Sequence, residues 1–444
     1  MPTPVGTGAK GDNMLNSFFK LDQHGTTVRT EILAGVTTFL TMAYIILVNP
    51  LILGDAGMDK GSVFVATCIA AAIGSALMGL YANYPIAQAP GMGLNAFFTY
   101  GVVLGMGYPW QTALGAVFVS GICFIVISVL PVREWIINAI PRSLKMATSA
   151  GIGFFLAIIA MKNAGLVVDH PATLVGLGDV TSWPVILSVA GLVLIAALDA
   201  LKVPGAIIIG ILAATAAGIV AGVSDFQGVA QMPPSLGPTL FALDIGAALD
   251  AALFGVIFAF LFTDLFDTAG TLMGVAHRAG LLDKDGKLPR LRRALIADSA
   301  ATTIGALVGT SSVTSYIESA AGVKAGGRTG LTAVTVAVLF LAALFLSPLA
   351  DTVPAYATAP ALLFVACIMA QGITEIAWDD VTEYVPAVIL ALAMPFSFSI
   401  ANGLAAGFIT YAAIKIVSGR FSEAKPAVLI LAAIFLAKFI WLGS

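Results

Sequence analysis

The chain has 444 residues, of which 59% are hydrophobic and 10% charged, with a formal net charge of −3. Soluble domains carry roughly 25% charged residues, so the composition excludes an ordinary soluble enzyme, and the near-neutral charge excludes a strongly basic nucleic-acid binder. Length alone would suggest about three soluble domains, but here it describes one helical membrane domain.

The polar stretch 1–30 lacks an apolar core followed by a small-residue cleavage site, so it reads as a retained segment rather than a secretory signal. Crossing a bilayer core takes roughly 20 apolar residues as a helix. Runs of that kind fall at 32–53, 63–81, 112–130, 146–160, 185–201 and 206–223, and then, after a polar stretch, at 251–275, 294–308 and 331–349. The last ones are 359–370, 385–400, 404–417 and 427–442. Two further stretches, 90–103 and 312–322, are interrupted by Gly, Pro, Ser or Thr and read as broken half-helices. The pattern predicts an all-α polytopic protein of about fourteen elements plus a terminal hydrophobic segment.

Lys and Arg in short loops set the orientation. Lys10, Lys20 and Arg29 precede the first span and place the N-terminus in the cytoplasm. Threading forward puts Arg133, Arg142, Lys145, Lys202, the basic stretch 278–293, Lys324, Arg328, Lys415 and Arg420 on the same side, with Lys60 the exception outside. Seven elements precede residue 251, so the second half enters the membrane in the opposite sense. The expected organisation is a cytoplasmic segment 1–30, a first inverted repeat 31–223, an extracytoplasmic linker 224–250, a second repeat 251–420 and a hydrophobic C-terminal segment 421–444. Each half carries its interrupted element third, and matched broken segments are a pointer to a transporter's substrate site.

An ionisable side chain inside a span costs about 2.5–3.5 kcal/mol on insertion scales and invites a functional reading. Asp264 and Asp267 lie three residues apart on one helix face of the eighth element, with Thr271 a turn beyond. Two carboxylates that close repel when both are ionised, and desolvation adds to that cost. The alternative for either is a broken-backbone cap or a Lys or Arg pair. Glu318 sits in the second broken stretch with no basic residue within one helical turn, suited to accept N–H bonds or to hold a proton. In the first broken stretch, Pro90, Gly91 and Gly93 free backbone groups, Asn95 offers a donor and an acceptor, and Phe97 or Phe98 could stack on a ring or simply pack. Asp298 has Arg292 and Arg293 upstream, so an ion pair or cap stands beside a place in a proton path.

Other patterns carry less. The glycine pairs at 91 and 93 and at 151 and 153 lack the strand context of a nucleotide loop, and the run 283–286 reads as a hairpin turn rather than a calcium loop. Cys68, Cys123 and Cys367 sit singly in apolar runs, and His24, His170 and His277 lie in or near loops without metal-ligand spacing. No metal, no organic cofactor and no enzyme chemistry is expected.

At these residues the sequence resembles the azaguanine-type (guanine/hypoxanthine/adenine) purine permeases of the nucleobase:cation symporter (nucleobase–ascorbate transporter) group. The resemblance runs from about Phe18 onward and rests on the stretches 26–31, 35–40, 42–45, 89–98, 265–271, 309–319 and 326–330. It implies fourteen membrane segments as two inverted repeats of seven, with segments 1–4 and 8–11 forming a core and 5–7 and 12–14 a gate. Segments 3 and 10 would be half-helices preceded by short strands, and the apolar tail beyond Lys425 exceeds this pattern. Asp267 and Glu318 fall where the group has its substrate- and proton-linked carboxylates, and Asn95 and Asp264 match further polar positions of the purine branch. The expected activity is import of a purine base, guanine or hypoxanthine before adenine, by proton symport with alternating access. Expected substrate contacts are Glu318, Asp267, Asn95, Asp264, Thr271 and Phe98, with Asp267, Glu318 and Asp298 for proton coupling. The partners are the base and the lipid bilayer of the cell membrane, with a homodimer admitted. Alternative readings are a carrier of uracil, xanthine or an inorganic anion on the same fold, or a channel.

Overall fold

The computed structural model describes residues 10–130, 140–284 and 288–441. Arg133, Asp285 and Gly286 lie outside them, as do residues 442–444. Among the described residues nine helices are long and apolar enough to cross a membrane, and three shorter apolar helices, the more polar Leu291–Val308 and the short Ser319–Lys324 fill the remaining places. In chain order the segments are 1 (Val28–Asp55), 2 (Lys60–Ala82), 3 (Met92–Gly105), 4 (Trp110–Val129), 5 (Arg142–Asn163), 6 (Trp183–Ala200) and 7 (Ala206–Val220). The second series is 8 (Ala251–Ala279), 9 (Leu291–Val308), 10 (Ser319–Lys324), 11 (Gly330–Thr352), 12 (Ala355–Glu375), 13 (Val381–Ser397) and 14 (Ile400–Val417). A terminal helix, Pro426–Trp441, follows.

Several helices start a turn before the apolar run that announces them, because their first turns are polar and capped. The side chain of Thr27 accepts from the Thr30 N–H, that of Asp59 from Ser62, and that of Asp380 from Thr382. Each satisfies a backbone donor that a helix start leaves free.

Both interrupted stretches divide into a strand and a helix. Strand β1 (Gln88–Pro90) leads into segment 3, and strand β4 (Val313–Ser315) precedes segment 10. They pair antiparallel with Gln88 opposite Ser315, Ala89 opposite Thr314 and Pro90 opposite Val313. Non-helical backbone at membrane depth survives only when its polar groups find partners inside the protein. A hydroxyl on the second segment of each half does this in the same way. Ser75 donates to the Gln88 carbonyl at 3.1 Å and accepts from the Gln88 N–H at 2.9 Å, while Thr302 donates to the Val313 carbonyl at 2.7 Å and accepts from its N–H at 3.2 Å. The fourteen segments thus form two repeats of seven in opposite sense.

A second hairpin, β2 (Val167–His170) with β3 (Leu174–Leu177), joins segments 5 and 6 outside the helical pattern predicted there. A short helix, Ile245–Ala248, interrupts the polar stretch between the halves.

Segments 1–4 and 8–11 pack on one another as the core, and segments 5, 6, 7, 12, 13 and 14 as the gate. Small residues let core helices touch, the usual device where lipid offers no competing polar surface. At the crossing of segments 2 and 11, a Cβ on Gly330 would stand 1.9 Å from the Gly79 carbonyl oxygen. Buried Glu31 ties segment 1 to the start of segment 11, accepting from the backbone of Arg328 at 2.9 Å and from the Thr332 hydroxyl at 2.5 Å.

Candidate functional site

The crossed strands aim two helix starts at one place. Segment 3 opens at Met92 with Gly91 before it, and segment 10 opens at Ser319 after a turn through Ile317 and Glu318. Between them, segment 8 and the gate lies a cavity of about 300 Å³, the small end of the range for ligand sites. Gly91, Gly93 and Leu94 form one wall, Thr314 to Glu318 another, and Thr263, Asp267 and Thr271 a third. Tyr44 enters from the break in segment 1, and Ser149, Ile152, Ile368 and Met369 close the gate side. A Cβ on Gly93 would meet Ile152 Cγ2 at 2.4 Å, so glycine permits the core wall to approach the gate. A second cavity of about 380 Å³ shares Asp267, Thr271 and Ile317 and continues past Lys145, Met273 and Gly372. It leads toward the end of the bundle that carries Arg142 and Arg278.

The predicted residues divide into two sets. Asp267, Glu318 and Thr271 line the cavity. The Tyr44 hydroxyl donates to Glu318 Oε1 at 2.5 Å. Among the described residues no Lys or Arg pairs with Asp264, Asp267, Asp298 or Glu318. The other set lies behind the walls of both cavities. Asn95 is fully buried, its side-chain carbonyl accepting from the Ser311 hydroxyl and its Nδ2 left without a partner. Asp264 accepts from Thr302 at 2.9 Å through Oδ2, and its Oδ1 has no partner. The single hydrogen of the Thr302 hydroxyl serves Asp264 or the Val313 carbonyl, so both contacts are satisfied together only when Asp264 carries a proton.

Asp298 is buried and forms neither of the Arg contacts expected from its neighbours, binding Gln88, Thr268 and Ser315 instead. Phe98 is a correction. It is fully buried in the apolar core and lines neither cavity, and Phe97 packs on Phe260 with ring centroids 5.0 Å apart. Only the first turn of the half-helix reaches the cavity, so residues a turn later are carried past it. Tyr44, Tyr316, Thr263 and Ser149 line the site without having been singled out. The signal for Tyr44 was a phenol inside an otherwise apolar run next to a proline-containing helix. Among the described residues no three His, Cys, Asp or Glu side chains come together as a metal site.

Two inverted series of helices, crossed strands and an acidic cavity at the half-helix ends define a multi-pass membrane transporter. The chain belongs to the Permease family (Xan_ur_permease), whose model matches residues 29–406. It is similar to the adenine permease AdeP of Escherichia coli K12, 48% identical over 438 residues and covering 99% of this chain and 98% of the relative. It is also similar to the guanine/hypoxanthine permease PbuG of Bacillus subtilis 168, at 44% over 440 residues, 96% of this chain and 100% of that one. Among solved structures the transmembrane domain of a cyanobacterial bicarbonate transporter, BicA, shares the fold with a TM-score of 0.63 at 15% identity, covering 85% of this chain and 97% of that domain. The anion transporter SLC26A9 does so at 0.64 and 11%, covering 94% and 74%.

Proposed function

We propose that this permease imports purine nucleobases across the cell membrane by proton symport, its core moving against its gate to expose the cavity to each side in turn. The observation that carries the reading is the cavity itself, where Asp267 and Glu318 face one space and no Lys or Arg among the described residues pairs with them. Carboxylate oxygens accept from purine N–H groups, and flat aliphatic walls at Ile152, Ile317 and Met369 suit the faces of a planar ring. Protonation of Asp267 lowers the repulsion between the two carboxylates and readies the site for a neutral base. Basic loops at the end to which the cavities lead support a reading in which that end faces the cytoplasm and the cavity opens inward.

Adenine heads the order of substrates we propose. The sequence reading favours guanine and hypoxanthine, but identity to the two adenine permeases is 48% and 47%, against 43% and 44% for the two guanine/hypoxanthine permeases of Bacillus subtilis. An anion as cargo fits poorly, because it would meet two carboxylates.

The test is uptake of labelled adenine and hypoxanthine in cells lacking their own purine carriers, with unlabelled guanine, xanthine and uracil as competitors and with or without a protonophore. Protonophore-sensitive uptake, competed by purines and not by uracil, is the expected result. Absence of uptake of any base by protein present in the membrane would overturn it.

A further inference from the structure

We infer that Asp298 is a positioning residue that locks the two crossed strands to segment 8 and so fixes the half-helix ends between which the cargo sits. Its side chain lies outside both cavities, and it touches no base directly. Its two oxygens take three donors from three parts of the core. Oδ1 accepts from Gln88 Nε2 at 2.7 Å and from the Ser315 hydroxyl at 2.9 Å, and Oδ2 accepts from the Thr268 hydroxyl at 2.8 Å.

Gln88 and Ser315 are cross-strand partners, so one carboxylate oxygen ties β1 to β4 at their shared end. Thr268 also bonds Thr314 at 2.9 Å, and Thr314 lines the cavity next to Gly91. Its three donors, Thr314 and Asp298 itself are all buried. In the first half Ser75 holds β1 through its backbone, and among the described residues the carboxylate of segment 9 is the side chain that bonds both strands and segment 8.

A carboxylate accepting three hydrogen bonds in a water-poor site is a rigid fixture, because each donor would be left unpaired if it turned away. The donors also fill three of the carboxylate's roughly four lone-pair positions, so a travelling proton would compete with them. On this geometry Asp298 sets the distance between the start of segment 3 and the turn carrying Glu318, and the coupling proton is held elsewhere. The consequence for transport rests on the purine reading above, whereas the strand lock does not.

Two readouts separate them. Hydrogen–deuterium exchange on the purified, ligand-free protein reads the lock directly. Asp298→Asn turns an amide toward three donors and should speed exchange in 86–92 and in 312–318 together, leaving segments 13 and 14 unchanged. Unaltered exchange in both stretches overturns the lock whatever the protein carries. The second readout is base counterflow, which needs no proton gradient. Asp298→Asn should raise the apparent KM at least tenfold both in counterflow and in gradient-driven uptake, without moving the pH profile. Thr268→Val and Ser315→Ala should raise it less, and each should add less than multiplicatively to Asp298→Asn. A wild-type KM in counterflow with accumulation lost would make Asp298 a proton carrier and overturn the proposal. If Asp298→Asn fails to reach the membrane, Thr268→Val and Ser315→Ala decide, and normal exchange and KM in both sink it. Absence of uptake by the unaltered protein would refute the purine reading alone.

Discussion

Asp267 enters the cavity from segment 8 and Glu318 from the turn before segment 10, and the Tyr44 hydroxyl holds one oxygen of Glu318. An uncompensated charge away from bulk water is costly, so the site gains from a proton or from a ligand rich in N–H donors. Replacing Asp267 by Asn should abolish concentrative uptake with the protein still in the membrane, and normal accumulation would remove it from coupling. Glu318→Gln keeps the shape and loses the charge. A hydrogen bond to a charged group is worth about 1.5–3 kcal/mol, so the apparent KM should rise roughly 10- to 100-fold, and an unchanged KM would take Glu318 out of the binding site. Both residues were legible because a charge in an apolar run stands out. Tyr44 was not, since a phenol is mostly apolar surface and resembles packing. Asn95 and Phe98 were chosen for their chemistry, an amide suited to a base edge and a ring suited to stacking, but the stretch that lines the cavity there is Gly91 to Leu94.

At the scale of elements, broken helices could be read from Pro90, Gly91 and Gly93, while the pairing of the strands joins residues more than 200 positions apart and leaves no local trace. Helix crossings are equally hidden in composition. Gly330 and Gly79 are two glycines among 46, and only the packed structure shows their backbones in contact. A methyl group at 330 has to push segments 2 and 11 apart, and overpacking typically costs 1–3 kcal/mol. Gly330→Ala should therefore lower the thermal midpoint of the detergent-solubilised protein, and an unchanged midpoint would mean that the crossing is loose.

On the side of the cavity away from the basic loops, segment 3 meets the gate at Gly101, where an added Cβ would lie 3.1 Å from the Phe398 carbonyl oxygen. Tyr100 beside it bonds Asp55 at 2.6 Å. If transport requires this contact to open and re-form, Gly101→Leu should favour the state in which it is open. A cysteine placed at Thr263 would then react faster with an impermeant thiol reagent added from outside, and an unchanged rate would show that this contact does not seal the cavity.

Over the whole molecule, the ends of the gate helices are joined by a charge cluster whose members line neither cavity. Arg420 contacts Asp380 at 2.8 Å and Glu423 at 2.8 Å, and Lys415 reaches Glu383 at 3.0 Å and Glu423 at 2.8 Å. It fastens the stretch that leads into the terminal helix, whose Phe435 packs on Phe258 of segment 8 and on Phe408 of segment 14. Hydrogen bonds from Thr382, with Arg420 adding to them, hold the Asp380 carboxyl below the usual carboxylate range, and Lys415 and Arg420 do the same for Glu423. Both are depressed in the folded protein, so their contribution is present above the unfolded value of about 4 and is lost as the pH falls through the lower folded values. Between pH 5 and 8 Asp380 and Glu423 therefore stay ionised. A change of uptake with pH in that window then arises outside Asp380 and Glu423, and on the proposed mechanism at Asp267 of segment 8. Arg420→Gln should loosen the terminal helix and lower the maximal rate while leaving the shape of the pH–uptake curve from pH 5 to 8 unmoved. A displaced curve in that variant would put the titrating group in the charge cluster and take the proton's entry away from the cavity.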